Sequence, residues 1–152
     1  MKKILLIILA TFPILVLAKS LTLSQVNCWQ TVSDKNGKVT SIVKTWQHDH
    51  FFYGKIIKTF KVKGLPYTNR CTLCKGFKHN KPVKGLLIIW QGHKDSPFAW
   101  SNLRILDPRT GDIYKAKATL QSNGQKLRVR GYIGIPLFGR TQVWLKTKCP
   151  IN

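Results

Sequence analysis

Late in the chain, over residues 114–120, 126–133 and 142–146, apolar and polar positions alternate with period two. Tyr114, Ala116, Ala118 and Leu120 fall on one face, with Lys115, Lys117 and Thr119 on the other. Leu127, Val129, Gly131 and Ile133 oppose Lys126, Arg128, Arg130 and Tyr132, and Val143 and Leu145 oppose Gln142, Trp144 and Lys146. Successive strand side chains point to opposite faces, so this pattern predicts strands with one buried face and one face carrying the cations. Runs rich in β-branched and aromatic residues extend the reading to eight strands: residues 28–34, 38–46, 51–60, 85–91, 102–107, 112–120, 126–133 and 140–147. Turn chemistry separates them at Asp34-Lys35-Asn36-Gly37, at Asp107-Pro108-Arg109-Thr110-Gly111 and at Asn123-Gly124. No helical stripe of ten or more residues follows residue 18, and residues 61–84, with Pro, Gly, Lys and a Cys pair, read as one long loop.

Eight hairpin-linked strands leave two exposed edges unless the sheet closes. The expected fold is all-β, an eight-stranded antiparallel up-and-down barrel; a two-sheet sandwich is the alternative. In a closed meander the first and last strands are neighbours, which makes a Cys28–Cys149 bridge natural among the three pairings that four cysteines allow. It would close more than a hundred residues, a constraint worth about 5 kcal/mol at most in the chain-entropy picture.

The first residues are of another kind. Lys2 and Lys3 precede an apolar stretch from Ile4 to Leu17, and Val16-Leu17-Ala18 offers small-residue cleavage before polar Lys19-Ser20. That is the layout of a secretory signal peptide over residues 1–18, with a single domain over 19–152. The stretch is short of the roughly 20 residues a spanning helix needs and contains Pro13. Periplasmic or secreted localisation follows, and with it an oxidising setting in which Cys28, Cys71, Cys74 and Cys149 can pair.

Charge narrows the function. The 152 residues carry 26 Lys and Arg against 5 acids, all Asp, for a formal +21. So few carboxylates disfavour two-metal and calcium sites. Between Asp49 and Asp95 no acid occurs, while cations recur from Lys55 to Lys94. Such a stretch attracts anions, either as a plain solvated surface or as a contact for anionic envelope lipid or lipopolysaccharide. An exported chain rarely meets nucleic acid, so none is expected as a partner.

Further residues carry competing readings. Cys71-Thr72-Leu73-Cys74 fits a structural disulfide, a redox pair, or half a zinc site with His79 as a third ligand. His48 and His50, two apart beside Gln47 and Asp49, fit a solvated turn or metal capture. His93 falls in a polar loop with Lys94 and Asp95. No nucleophile elbow and no His-Glu-x-x-His occurs, nothing joins Asp49 to Asp95, and the chain is read as a non-enzyme without metal or cofactor.

An ordered series of segments carries a resemblance. Cys71-Thr72-Leu73-Cys74-Lys75-Gly76 precedes Pro82 and Gly85-Leu86-Leu87-Ile88-Ile89, and then Ile105-Leu106-Asp107-Pro108-Arg109-Thr110-Gly111-Asp112-Ile113-Tyr114-Lys115-Ala116. Leu127 to Gly134 and Phe138-Gly139-Arg140-Thr141-Gln142-Val143-Trp144 complete it. The series, over residues 27–146, resembles the bacterial secreted family known as domain of unknown function 2147. The resemblance implies a lipocalin-like barrel and a role in binding small apolar molecules, and it implies no reaction. Such barrels commonly place Gly two residues before the first-strand Trp; Asn27 stands there, so a bridge from Cys28 is expected to help hold Trp29.

The reading is of an exported barrel holding one small, mainly apolar ligand of the fatty-acid or lipid kind inside. Its alternative is an envelope interaction protein that works through its basic surface on anionic lipid. Tyr53, Tyr114, Val129 and Val143 are the expected inward groups, and Ala116 and Ala118 leave room beside them. Trp90 and Trp100 flank the mouth. Arg130 is the candidate for a ligand carboxylate, although alternation favours its pointing outward.

Overall fold

The structure, a computed structural model, describes residues 26–150. The signal peptide expected over residues 1–18 lies outside the described residues. Eight antiparallel strands close into a barrel in chain order. They are β1 (Asn27–Val32), β2 (Val39–His48), β3 (Phe51–Thr59), β4 (Leu87–Ser96), β5 (Ala99–Leu106), β6 (Ile113–Gln121), β7 (Lys126–Tyr132) and β8 (Gly139–Thr147). Closure runs through Cys28↔Thr147, Trp29↔Lys146 and Gln30↔Leu145, so no sheet edge remains and the sandwich alternative falls away. Cys28 and Cys149 form a disulfide beside this seam.

The turns behave as their residues demand. Gly37, Gly111 and Gly124 all take positive φ, as tight turns require. β2 and β3 meet in the two-residue turn Asp49-His50, also at positive φ. His48 pairs with Asp49 at 3.0 Å in full solvent view, so the solvated-turn reading fits the geometry. One expected loop is a ribbon instead. The polar stretch around His93 belongs to a long β4–β5 hairpin with register pairs His93↔Ser101, Lys94↔Trp100 and Ser96↔Ala99. Its tip is largely exposed, so backbone pairing holds it without the apolar alternation that sequence reading relies on.

A meander places alternate connections at opposite ends. One end, here the turn end, carries short turns at residues 49–50, 97–98 and 122–125. The other, the loop end, carries residues 33–38, 60–86, 107–112 and 133–138. The long connection follows β3 at this end. It folds back as a strap on the outer wall, where Cys71, Cys74, Val83 and Leu86 join a buried cluster with Ile88 and Leu106. Ile88 and Leu106 are one residue off the inward positions of Ile89 and Ile105 and therefore face outward.

The strap is pinned at several points. Cys71 and Cys74 are bridged and buried, and His79 Nδ1 lies 3.0 Å from the Cys74 carbonyl oxygen. The structural-disulfide reading of the CxxC pair accounts for this geometry. A Cβ on Gly111 would sit 2.1 Å from the Leu73 carbonyl oxygen, so only glycine lets the β5–β6 turn meet the strap. Lys78 donates to the Leu87 carbonyl oxygen at 3.0 Å and lies 3.5 Å from the Trp90 ring centroid, covering that indole. Burial lowers the Lys78 pKa below its usual value.

Candidate functional site: the barrel interior and its outer wall

Register pairing and burial show which side chains fill the barrel. Toward the turn end stand Phe52, Trp100, Leu127 and Trp144, all buried, with Phe52 stacked on Trp100 at a centroid distance of 4.6 Å. Ala118 pairs with Trp100 and Ala116 with Leu103 across β5–β6, so the room left by the two small side chains is taken by their large neighbours. A Cβ on Gly92 would come 2.1 Å from Leu103 Cδ2 and 3.1 Å from Phe52 Cβ. This half is packed as a protein core.

The loop-end half is lined differently. Ile105, Tyr114, Gly131, Gln142 and Ser41 occupy inward positions, yet each is only half-buried. An inward group that solvent still reaches means that the barrel is open above it. A Cβ on Gly131 would meet Ile105 Cγ2 and Tyr114 Cβ at an ordinary 3.7 Å, so space remains at that wall. The lining is also more polar. Thr31 Oγ1 lies 2.9 Å from Thr40 Oγ1 and 2.7 Å from Ser41 Oγ, while Gln142 Nε2 donates to Asp34 Oδ1 at 3.4 Å. Arg140 pairs with Asp34 at the rim.

The rim is electrostatically knit. Arg109 donates to Asp107 Oδ1 from its backbone N–H at 2.9 Å and from Nε at 3.0 Å, and to Oδ2 from Nη2 at 2.7 Å. Burial works to raise the Asp107 pKa, but the Arg109 hydrogen bonds and the charges of Arg109 and Arg140 outweigh it and hold the carboxyl below its usual range. Tyr114 is pushed up, first by burial and then by Asp112, whose Oδ2 its hydroxyl reaches at 3.3 Å.

Three interior tryptophans need hydrogen-bond acceptors. Trp29 Nε1 donates to Thr45 Oγ1 at 2.8 Å and Trp144 Nε1 to Gln142 Oε1 at 3.2 Å. Trp100 Nε1 is buried and has no partner.

Of the expected interior groups, the structure brings Tyr114, Ala116, Ala118 and Val129 together, whereas Trp100, expected at the mouth, is stacked on Phe52 in the packed turn-end half because β5 turns it inward opposite Ala118. Four others are on the outer wall and correct the expectation. Tyr53 stacks on Trp46 at 5.6 Å, because β3 turns Phe52, Gly54 and Ile56 inward and leaves Tyr53 beside Lys55. Val143 is 38% exposed, because β8 buries the larger Trp144 on the opposite face. Trp90 sits beneath Lys78 on the outside rather than at the mouth. Arg130 points outward and is occupied: Nε donates to the Pro136 carbonyl oxygen at 2.8 Å, Nη1 to Thr141 Oγ1 at 2.9 Å and Nη2 to the Leu137 carbonyl oxygen at 3.1 Å. It shapes the β7–β8 loop.

Sequence reading missed Trp29, Phe52, Leu103 and Trp144 of the packed half and Ile105, Gly131 and Gln142 of the open half. The signal for Gly131 was present, since a glycine inside an alternating strand marks a close approach or an open wall.

Among the described residues, two of the hollows lie on the outer wall. One, of about 270 Å³, lies against the strap between Phe77, Lys81, Lys84 and Leu87. The other, of about 520 Å³, crosses β3 to β7 and is lined among others by Phe51, His93, Arg104, Lys115 and Tyr132.

A closed eight-strand antiparallel meander with an open, loop-bearing end defines a lipocalin-like barrel. A solved structure supports that class at the level of fold: protein HP1028 from the human pathogen Helicobacter pylori, described as belonging to the lipocalin family. It is 20% identical, has a TM-score of 0.67, and the match covers 81% of this chain and 82% of that one. The chain belongs to the DUF2147 family, described as an uncharacterized protein conserved in bacteria, whose model matches residues 28–146. No curated protein matches the chain.

Proposed function

We propose that this protein is an exported binding protein that holds one small, mainly apolar molecule in the open half of its barrel. The observation that carries this reading is the half-exposed state of inward-facing Ile105, Tyr114 and Gly131 above a packed floor. Barrels of this strand number either fill with side chains or hold one small ligand, and this one is divided between the two. The apolar part of the ligand rests on Ile105, Ala116 and Val129. Its polar end faces the mouth, where Gln142, Tyr114 and the Arg140–Asp34 pair stand. The HP1028 likeness adds that lipocalin-family proteins share this architecture. Two disulfides support residence in an oxidising compartment, the periplasm or the outside. Binding rather than catalysis is the proposed activity.

Mass spectrometry of the native protein after mild purification tests the reading. A retained adduct of lipid or fatty-acid mass is expected, and Gly131→Leu, whose Cβ meets only side-chain atoms of Ile105 and Tyr114 at ordinary distance, is expected to abolish it with the melting temperature nearly unchanged. Repeatedly empty spectra, or an adduct indifferent to Gly131→Leu, would overturn it.

A further inference from the structure

The 520 Å³ groove on the outer wall has features that packing alone does not account for. Arg104 and Lys115 are direct register partners across β5–β6. Like charges opposite one another on a sheet destabilise it, and among the described residues neither has an ion-pair partner. No acid lines the groove. Asp95, near its His93 end, accepts a hydrogen bond from Ser101 at 2.7 Å. Tyr132 is the register partner of Lys115 on β7, and Phe51 meets His93 edge-on at 4.9 Å, so aromatic groups stand at both sides of the cations.

The backbone beneath is distorted on two strands at once. Gln91 on β4 and Asn102 on β5 have φ of 62° and 54°, both left-handed and neither glycine. Register is in step on either side of them, at Trp90↔Arg104 and His93↔Ser101, which sets Gln91 opposite Leu103 and Asn102 opposite Gly92, so the two irregular residues lie diagonally across one ladder. Inward positions skip accordingly, from Ile89 to Gly92 and from Trp100 to Leu103. The result is two side-chain amides set outward into the groove beside Arg104. Left-handed non-glycine residues are costly, and bulges of this kind gather where a strand must aim side chains at something.

We propose that this groove is an anion site that takes a phosphate group on Arg104 and Lys115, with Gln91 and Asn102 donating beside them. The remainder of a phosphorylated ligand lies along Phe51, Tyr132 and Pro136. A guanidinium and an ammonium side by side, without a carboxylate, match the charge and acceptor number of a phosphate. The adjoining β7–β8 loop exposes Ile133, Leu137 and Phe138, each more than 70% accessible, on a frame held by Arg130. That neighbour suits a lipid headgroup, while a free phosphate ester uses the same contacts. The proposal is independent of the interior site.

Titrations on the full folded protein use three probes: inorganic phosphate, dihexanoyl phosphatidic acid below its micellar concentration, and phosphatidylcholine vesicles with and without phosphatidylglycerol. The readout is the shift of Arg104, Lys115 and Tyr132 resonances, with cosedimentation for the vesicles. Arg104→Gln/Lys115→Gln is expected to weaken binding at least tenfold. Lys44→Gln/Lys55→Gln removes another directly opposed cation pair, outside the groove, and is expected to change binding less than twofold. Vesicle binding lost in the groove variant assigns the phosphate to a lipid. Saturable binding of the soluble probes alone assigns it to a free ester. The proposal is overturned if no probe saturates, or if the two variants lose binding equally, as a diffuse positive surface would.

Discussion

The two halves of the barrel are built from the same eight strands and yet obey different packing rules. At the turn end Phe52, Trp100, Leu127 and Trp144 meet across the axis and bury one another. At the loop end the corresponding positions are Ser41, Ile105, Tyr114, Gly131 and Gln142, smaller or polar and only half-buried. The difference teaches that packing stability is concentrated at one end of the barrel axis, and on the proposed function binding at the other. The aromatic plug supplies apolar burial, which frees the opposite half from having to be a core. Substitutions should therefore have opposite signatures in the two halves.

The largest effect is expected for Trp144→Ala. It removes a side chain that is 3% exposed and leaves a cavity between β7, β8 and the floor, at a cost of about 3–5 kcal/mol. Tyr114→Ala in the open half should cost far less and act on ligand retention instead. Chemical denaturation of both variants measures the contrast, and equal losses would abolish the division into two halves.

Glycines sharpen it. Gly92→Ala forces a Cβ against Leu103 and Phe52 and should lose about 1–3 kcal/mol by overpacking. Gly131→Ala meets only ordinary contacts and should be neutral or gain up to about 1 kcal/mol by restricting the unfolded chain. A strong loss at Gly131 would show that the open wall is closed.

Which half was legible in the sequence follows from this. Alternation along β6 and β7 placed Tyr114, Ala116, Ala118 and Val129 inside correctly, because cations mark the outer face at every second residue. β3 and β8 misled for the same reason in reverse. Phe52 and Tyr53 are adjacent, and Gln142 and Trp144 share the inward face with each other rather than with Val143. A barrel mouth tolerates polar inward residues, so polarity there no longer reports orientation. The seam was legible from Cys28 and Cys149, since only closure brings them together. Of the irregularities at Gln91 and Asn102 only Asn102 is a residue type that favours left-handed backbone, so residue type alone did not reveal the outer groove they shape.

Tryptophan hydrogen bonding divides the interior more finely. Trp29→Phe deletes the donor to Thr45 Oγ1 and leaves a hydroxyl buried at 1% exposure without that partner. Trp100→Phe deletes a donor that has none. The two changes remove the same atoms, so their difference isolates the hydrogen bond, and Trp29→Phe should be the more destabilising by about 1 kcal/mol. Equal losses would show that the Trp100 N–H finds an acceptor in solution, such as a buried water or the end of a bound ligand.

The smallest effect belongs to the rim. Asp107 has its carboxyl held below the ordinary range by Arg109, so its ionised form is favoured more in the folded than in the unfolded chain. The stabilisation is therefore complete above the unfolded carboxylate pKa and disappears as the pH falls through the lower folded value. Because Arg109 is half exposed, solvent screening limits the contribution to a fraction of about 1 kcal/mol. Asp107→Asn should be slightly less stable than the parent at pH 7, and the gap should close as the pH falls below the carboxylate range. A gap that persists at low pH would mean that Asp107 stabilises the β5–β6 turn through hydrogen bonds its neutral form retains. The loop-end rim would then be held by geometry rather than charge.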